Sequence, residues 1–94
     1  MNSITTFVTV AELGASECDL LVKLAARVSE AEKKHPAFSD GIYQGVGVIG
    51  EEYGELCQAL NKNQGEARVM DEALDLLCVV WRFCRGYWDK SSQE

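Results

Sequence analysis

The sequence is poor in three features that mark particular protein classes. It has one proline, one histidine and no two cysteines in the CxxC spacing among its 94 residues. Eight glycines and one proline exclude a collagen-like or low-complexity chain, and the hydrophobic content of 47% is that of a folding domain. At this length the chain forms one domain with a modest core.

The cysteines lie in apolar stretches, where a thiol acts as a small hydrophobic group. They are Cys18, Cys57, Cys78 and Cys84. Reduced core cysteines indicate a reducing compartment. No basic segment followed by a long apolar core stands at the N-terminus, and no apolar run approaches the roughly 20 residues of a membrane span. We therefore predict a cytoplasmic protein with no membrane partner.

Basic residues are also scarce relative to acidic ones. Nine Lys and Arg stand against fifteen Asp and Glu, which gives a net charge of -6. This sign disfavours nucleic acids and anionic membranes as partners. An acidic chain that binds phosphate needs a cation between its carboxylates and the ligand.

What the sequence does have is apolar residues at helical spacing. They predict an all-α fold, a small bundle of three main helices over 17–34, 41–62 and 66–88. The helical domain (16–88) follows an N-terminal arm (1–15) and precedes a polar tail (89–94). The residue before a proline disfavours the helical conformation, so His35-Pro36 should end the first helix. Ser16 and Asp40 are the predicted N-caps of the first two helices.

The second and third helices are amphipathic in different ways. In the second, an apolar stripe predicts the core-facing side: Ile42, Val46, Ile49, Tyr53, Leu56 and Leu60. The third is apolar over about three-quarters of its circumference, which is typical of a buried helix. Its narrow polar strip should face water in a cleft or an oppositely charged partner. That strip consists of Arg68, Asp71, Glu72, Asp75 and Arg82.

Carboxylates recur three residues apart on both helices, so each pair lies on one helix face. If the two helices are antiparallel, Glu52 and Glu55 lie opposite Glu72 and Asp75. Four converging carboxylates need protons or a hard divalent cation such as Mg²⁺. Taken singly, such pairs are common on solvated helices. A di-iron site would need a Glu-x-x-His motif, and the only histidine lies in a loop.

The segments EEYGEL (51–56) and EALDLL (72–77) resemble the EExxE and ExxD motifs of the MazG-like family. These are all-α nucleoside triphosphate pyrophosphohydrolases, and the resemblance covers roughly residues 17–85. It implies Mg²⁺, with Mn²⁺ as a substitute, bound by Glu52, Glu55, Glu72 and Asp75. It also implies cleavage between the α and β phosphates of a ribo- or deoxyribonucleoside triphosphate, in nucleotide-pool house-cleaning. Glu51 and Glu52 would be the catalytic carboxylates, placed near the metals or the attacking water.

The family's pattern also has an asparagine where this chain has Arg82. An arginine there binds phosphate bidentately or pairs with Asp75 or Asp71. Arg68 and Lys34 are further candidates for phosphate contacts.

Three glycines of the second helix share one side, at positions 47, 50 and 54. Because glycine weakens a helix, they indicate close approach of another helix or room for a nucleoside. The apolar third helix predicts a homodimer or homotetramer, since one chain supplies only two other helices to cover it. The alternative to an enzyme is a helical oligomerisation module whose acidic strips bind basic residues.

Overall fold

The computed structural model describes residues 15–86 and confirms the all-α prediction over that range. Its three helices are α1 (Ala15–Lys34), α2 (Ile42–Asn61) and α3 (Glu66–Arg85). Almost all of the predicted arm, the predicted third helix beyond residue 86 and the polar tail lie outside these residues. Between residues 15 and 86 no helix combines the length and apolarity needed to cross a membrane.

The ends of α1 and α3 follow local backbone chemistry. Helix α1 ends at Lys34, directly before His35-Pro36, and the His35 N–H donates to the Ala31 carbonyl oxygen at 2.9 Å. Gly86 ends α3 in the left-handed conformation, at φ 76°, which glycine adopts without a steric penalty. Helix α3 therefore ends three residues before the predicted end at 88.

The start of α2 differs from the prediction. Gly41, at φ 111°, is the N-cap residue, and Asp40 lies one position before it. The Asp40 backbone N–H donates to Oε1 of Gln44 at 2.6 Å, while the Ser39 hydroxyl donates to the Gly41 carbonyl oxygen at 2.8 Å. The N-cap is thus Gly41 and not the predicted Asp40, and Gln44, at the third helical position, bonds the backbone just before it. Ser16, the other predicted cap, lies within α1.

Helices α2 and α3 form an antiparallel hairpin, as predicted. Gly45, near the start of α2, lies against Phe83 near the end of α3, and Glu52 approaches Glu72 further along. The Phe83 ring also meets the Phe38 ring edge to face, with 6.5 Å between centroids. Helix α1 packs against α3 less extensively than α2 does.

The buried apolar core is small. Its main cluster consists of Leu24, Val28 and Cys78, with Ala31 and Leu74 packed against it. All four cysteines are free, but Cys84 is exposed, which contradicts its predicted place in the core.

The predicted core stripe of α2 is largely exposed, so that prediction is wrong for the single chain. Among the residues described, the large exposed apolar side chains of α2 are Ile42, Tyr43, Val46, Tyr53 and Leu60. The physical reason is that α3 packs on the face carrying Gly45 and Ala59, the two buried residues of α2. Helix α3 is likewise only partly covered, and Met70, Leu77 and Trp81 are exposed.

The glycines at 47, 50 and 54 have no close neighbour within residues 15–86. A Cβ added at any of them would meet nothing within 4 Å. The close helix approach inferred from them is therefore absent from the described part of the chain. It occurs at Gly45 instead, where an added Cβ would lie 2.9 Å from Cδ2 of Phe83.

Replacing glycine by alanine should therefore have opposite effects on stability at Gly45 and at Gly47. Gly45→Ala should lower the free energy of unfolding by about 1–3 kcal/mol, because the added methyl clashes with Phe83 and the overpacking must be relieved. Gly47→Ala should raise it by about 0.5–1 kcal/mol, since alanine is the better helix former and has open space. Urea unfolding of both variants measures the difference, and equal effects would contradict this packing.

Candidate metal centre

Three glutamate side chains from two helices meet at the middle of the hairpin. Glu52 and Glu55 lie three residues apart on α2, and Glu72 faces them from α3. One carboxylate oxygen from each lies within 4.8 Å of the other two. We call this group the glutamate cluster. The like charges of its members repel one another unless protons or a cation compensate.

Glu72 is the most deeply buried member, with 3% of its surface exposed. Arg68, four residues earlier on α3, donates to Oε1 of Glu72. The other oxygen, Oε2, is buried and has no hydrogen-bond partner. A buried carboxylate oxygen without a partner is energetically costly, so it indicates a site suited to a ligand.

Glu52 is half-buried, and its Oε2 likewise has no partner. Burial, followed by the negative charges of Glu55 and Asp75, raises the pKa of Glu52 to about 7. Near neutral pH this side chain therefore exchanges a proton readily. A cation bound at the cluster would compete with that proton.

The donor set of the cluster is chemically uniform. It offers carboxylate oxygens alone, without imidazole or thiolate. Hard oxygen ligands fit Mg²⁺ and Mn²⁺ rather than zinc or copper. The glutamate cluster thus offers three carboxylates that could hold such an ion.

The structure places Asp75, the fourth predicted ligand, outside this group. Arg27 of α1 donates one terminal nitrogen to Oδ1 of Asp75 and the other to Oδ1 of Asp71, the latter at 2.9 Å. The hydrogen bond from Arg27 lowers the pKa of Asp71. The polar strip of α3 was predicted to face either water in a cleft or an oppositely charged partner. Arg27 is such a partner, and it lies in the same chain.

Sequence reasoning missed Arg27. The residue is a lone basic position within the apolar segment from Leu24 to Val28 of α1. The sequence did contain a signal for it. A charged side chain next to the core-facing positions of an amphipathic helix needs an oppositely charged partner there.

Arg82 occupies an arrangement that neither predicted alternative included. Only 4% of its surface is exposed. Its guanidinium donates to the His35 carbonyl oxygen and lies 5.5 Å from the centroid of the Phe38 ring. Its Nε is buried without a partner. Arg82 thus holds the α1–α2 connection against α3.

The remaining predicted residues lie nearer the surface. Arg68 is exposed and also approaches Oδ2 of Asp71 at 3.5 Å. Lys34 is exposed at the end of α1, and Glu51 is exposed on α2. The structure thus joins Arg68 to the glutamate cluster through Glu72, while Glu51 is not among the cluster's members.

A cavity of about 440 Å³ adjoins the cluster. Three carboxylates line it, Glu30, Glu52 and Asp75, together with three basic side chains, Arg27, Lys34 and Arg82. The rest of its wall consists of His35 and the apolar side chains of Ala31, Phe38, Val48, Cys78 and Val79. A larger groove of about 860 Å³ lies between α1 and α3 and is also lined by Arg27.

Comparison with known proteins finds no matching family model, no matching curated protein and no matching solved structure.

Proposed function

We propose that the chain is a Mg²⁺-dependent nucleoside triphosphate pyrophosphohydrolase of the MazG-like type. The observation that carries this proposal is the unpartnered, buried Oε2 of Glu72 within the glutamate cluster. An acidic group alone is common on helices, whereas a buried carboxylate with an open oxygen favours a ligand.

The chemistry supplied by the bound ion would be neutralisation of the phosphate charge and a lowered pKa for a coordinated water. Glu52, Glu55 and Glu72 would hold it, with Asp75 as a further ligand. Glu52 would accept the proton of the attacking water, a general-base role that a carboxylate can take. Glu51, on the neighbouring exposed position, would orient that water. Attack on the α phosphorus breaks the bond to the bridging oxygen and releases a monophosphate and pyrophosphate.

The 440 Å³ cavity supports the same assignment through its mixed lining. Its basic side chains suit phosphate oxygens, and its apolar wall suits the flat face of a base. Deoxyribonucleotides and ribonucleotides are both candidate substrates, and removal of unwanted nucleotides is the proposed role. Four free cysteines support a cytoplasmic location.

We also propose that the chain is a homodimer or homotetramer whose helices complete a four-helix-bundle core. The supporting observation is the exposed apolar side of α2, where Tyr43 is 91% and Leu60 65% exposed. Several large apolar side chains exposed on one helix favour an interface with a partner helix. The same surface favours the second candidate function, a helical oligomerisation module without catalytic activity.

A substrate panel tests the enzyme directly. The purified chain, supplied with Mg²⁺ or Mn²⁺ and single ribo- or deoxyribonucleoside triphosphates, should release pyrophosphate and a monophosphate in equal amounts. Release of orthophosphate and a diphosphate would contradict the proposed bond cleavage. Absence of any release, together with no Mn²⁺ binding by isothermal titration, would favour the oligomerisation module.

Light scattering tests the assembly. At micromolar concentration the mass should be at least twice the 10.4 kDa of one chain. A monomer at that concentration would contradict the oligomer without bearing on the glutamate cluster.

A further inference from the structure

Arg27 crosses from α1 to α3 and divides its guanidinium between two carboxylates one helical turn apart. One terminal nitrogen donates to Asp71 at 2.9 Å, and the other donates to Asp75. The hydrogen bond to Asp71 raises the pKa of Arg27 most, and the bond to Asp75 raises it further. Its side chain is 29% exposed, so the fork of ion pairs reaches solvent on one side.

The pairing withholds Asp75 from the glutamate cluster. Asp75 lies three residues after Glu72 on α3, and it lines the same cavity as Glu52. Its side chain therefore lies beside the cluster. One of its oxygens is nevertheless bound to Arg27, and Asp75 is not among the three residues whose oxygens converge.

Arg27 also borders two concave surfaces between the helices. It lines the 440 Å³ cavity together with Glu52 and Asp75. It lines the 860 Å³ groove as well. The guanidinium thus lies where a phosphate bound beside the cluster would come within reach.

We infer that Arg27 is a phosphate-binding residue that exchanges Asp75 for the substrate. In the metal-free protein Arg27 holds Asp75. When the glutamate cluster takes up a divalent cation, Asp75 turns to it, and the guanidinium nitrogen released by Asp75 binds a phosphate oxygen. Asp71 keeps its own hydrogen bond and so maintains the orientation of Arg27. This inference rests on the proposed function, because it requires a cation at the cluster and a phosphate beside it.

The exchange follows from charge and exposure. A divalent cation attracts a carboxylate more strongly than a monovalent guanidinium at the same distance. A partly exposed ion pair contributes little stability, so its exchange has a small cost. Arginine is suited to the second half of the exchange, since its planar fork serves a carboxylate and a phosphate at once.

Arg27→Gln tests the two steps of the exchange, the release of Asp75 and the binding of phosphate, separately. Both are followed by binding measurements that need no turnover. Without Arg27, Asp75 is no longer held, so Mn²⁺ alone should bind about 3- to 10-fold more tightly by isothermal titration. In saturating Mn²⁺, inorganic pyrophosphate should bind at least about 10-fold more weakly, because a charged donor is lost. Arg27→Lys keeps the charge without the fork, and its pyrophosphate affinity should fall between the two.

Lys23→Gln is the matched control. Lys23 lies one turn before Arg27, is exposed, and lines the 860 Å³ groove but not the smaller cavity. Its loss removes the same charge from the same helix, and both affinities should stay within about twofold of the wild type. If Arg27→Gln lacks the wild-type circular dichroism spectrum, Arg27→Lys carries the comparison.

The outcomes distinguish this inference from the proposed function. Failure of the wild-type chain to bind Mn²⁺ would overturn both. Binding by the wild type with unchanged or weaker Mn²⁺ affinity in the Arg27 variants would overturn the exchange alone. Unchanged pyrophosphate affinity in those variants would overturn the phosphate contact.

Discussion

Glu72→Gln should abolish Mg²⁺ binding and lower Mg²⁺-dependent pyrophosphate release by more than about 100-fold, beyond the loss typical of residues that only support metal ligands. Glutamine keeps the shape of the side chain but removes the charge of a carboxylate whose Oε2 is buried and unpartnered. Isothermal titration with Mg²⁺ and Mn²⁺ measures binding, and pyrophosphate release measures turnover.

The stability of this variant should not fall. The substitution removes a buried charge that repels Glu52 and Glu55, and exposed Arg68 retains its approach to Asp71. Glu66→Gln is the matched control, because Glu66 is exposed in the first turn of the same helix and lies outside the cluster. Wild-type Mg²⁺ binding in Glu72→Gln would refute the proposed metal centre, whereas loss of binding in both variants would indicate a nonspecific charge effect.

Glu52 should make the metal-free protein less stable as the pH rises from about 4.5 to about 7. Its pKa in the folded chain is about 7, above the ordinary value of 4.5. Below pH 4.5 both folded and unfolded chains hold the proton. Between the two values the unfolded chain releases it while the folded chain keeps it, so unfolding becomes more favourable. After allowance for solvent screening, the loss is on the order of 1–2 kcal/mol.

Glu52→Gln isolates this contribution from the other titrating groups. Its stability, relative to the wild type in EDTA, should increase by that amount between pH 4.5 and 7.5 and then level off. Urea unfolding at four or five pH values measures the difference. Glu51→Gln, at the neighbouring exposed position, should show a pH dependence parallel to that of the wild type. Parallel curves for Glu52→Gln would show that the cluster does not perturb Glu52.

Helical periodicity and local breakers were sufficient to predict the three helices. The His35-Pro36 stop, the short connection between α2 and α3 and the start of α3 at Glu66 are all local effects of backbone chemistry. The antiparallel hairpin followed from the short connection, and with it the meeting of Glu52 and Glu55 with Glu72. These features depend on residues close together in sequence.

The wrong predictions concern features that depend on contacts between residues distant in sequence. The wide apolar surface of α2 predicted its core side, yet α3 packs against Gly45 and Ala59, where small residues allow close approach. Periodicity alone cannot decide whether a helix packs through its apolar stripe or through a face of small residues, because either face can pack against a neighbour. Arg27 could not be placed for the same reason: its partners lie 44 and 48 residues away on another helix.

The bond between Arg82 and the His35 carbonyl oxygen joins residues 47 positions apart. During synthesis the α1–α2 connection therefore lacks its contacts to α3 until almost all of that helix has left the ribosome. Closing so long a loop is favourable only when the contacts formed at its ends outweigh the loss of chain entropy. Segments ending before Arg82 leave Phe38 without its contacts to Arg82 and Phe83, so α1 and α2 alone lack part of the native packing. Until α3 is complete, the nascent chain also leaves uncovered Gly45 and Ala59, the residues of α2 against which α3 packs.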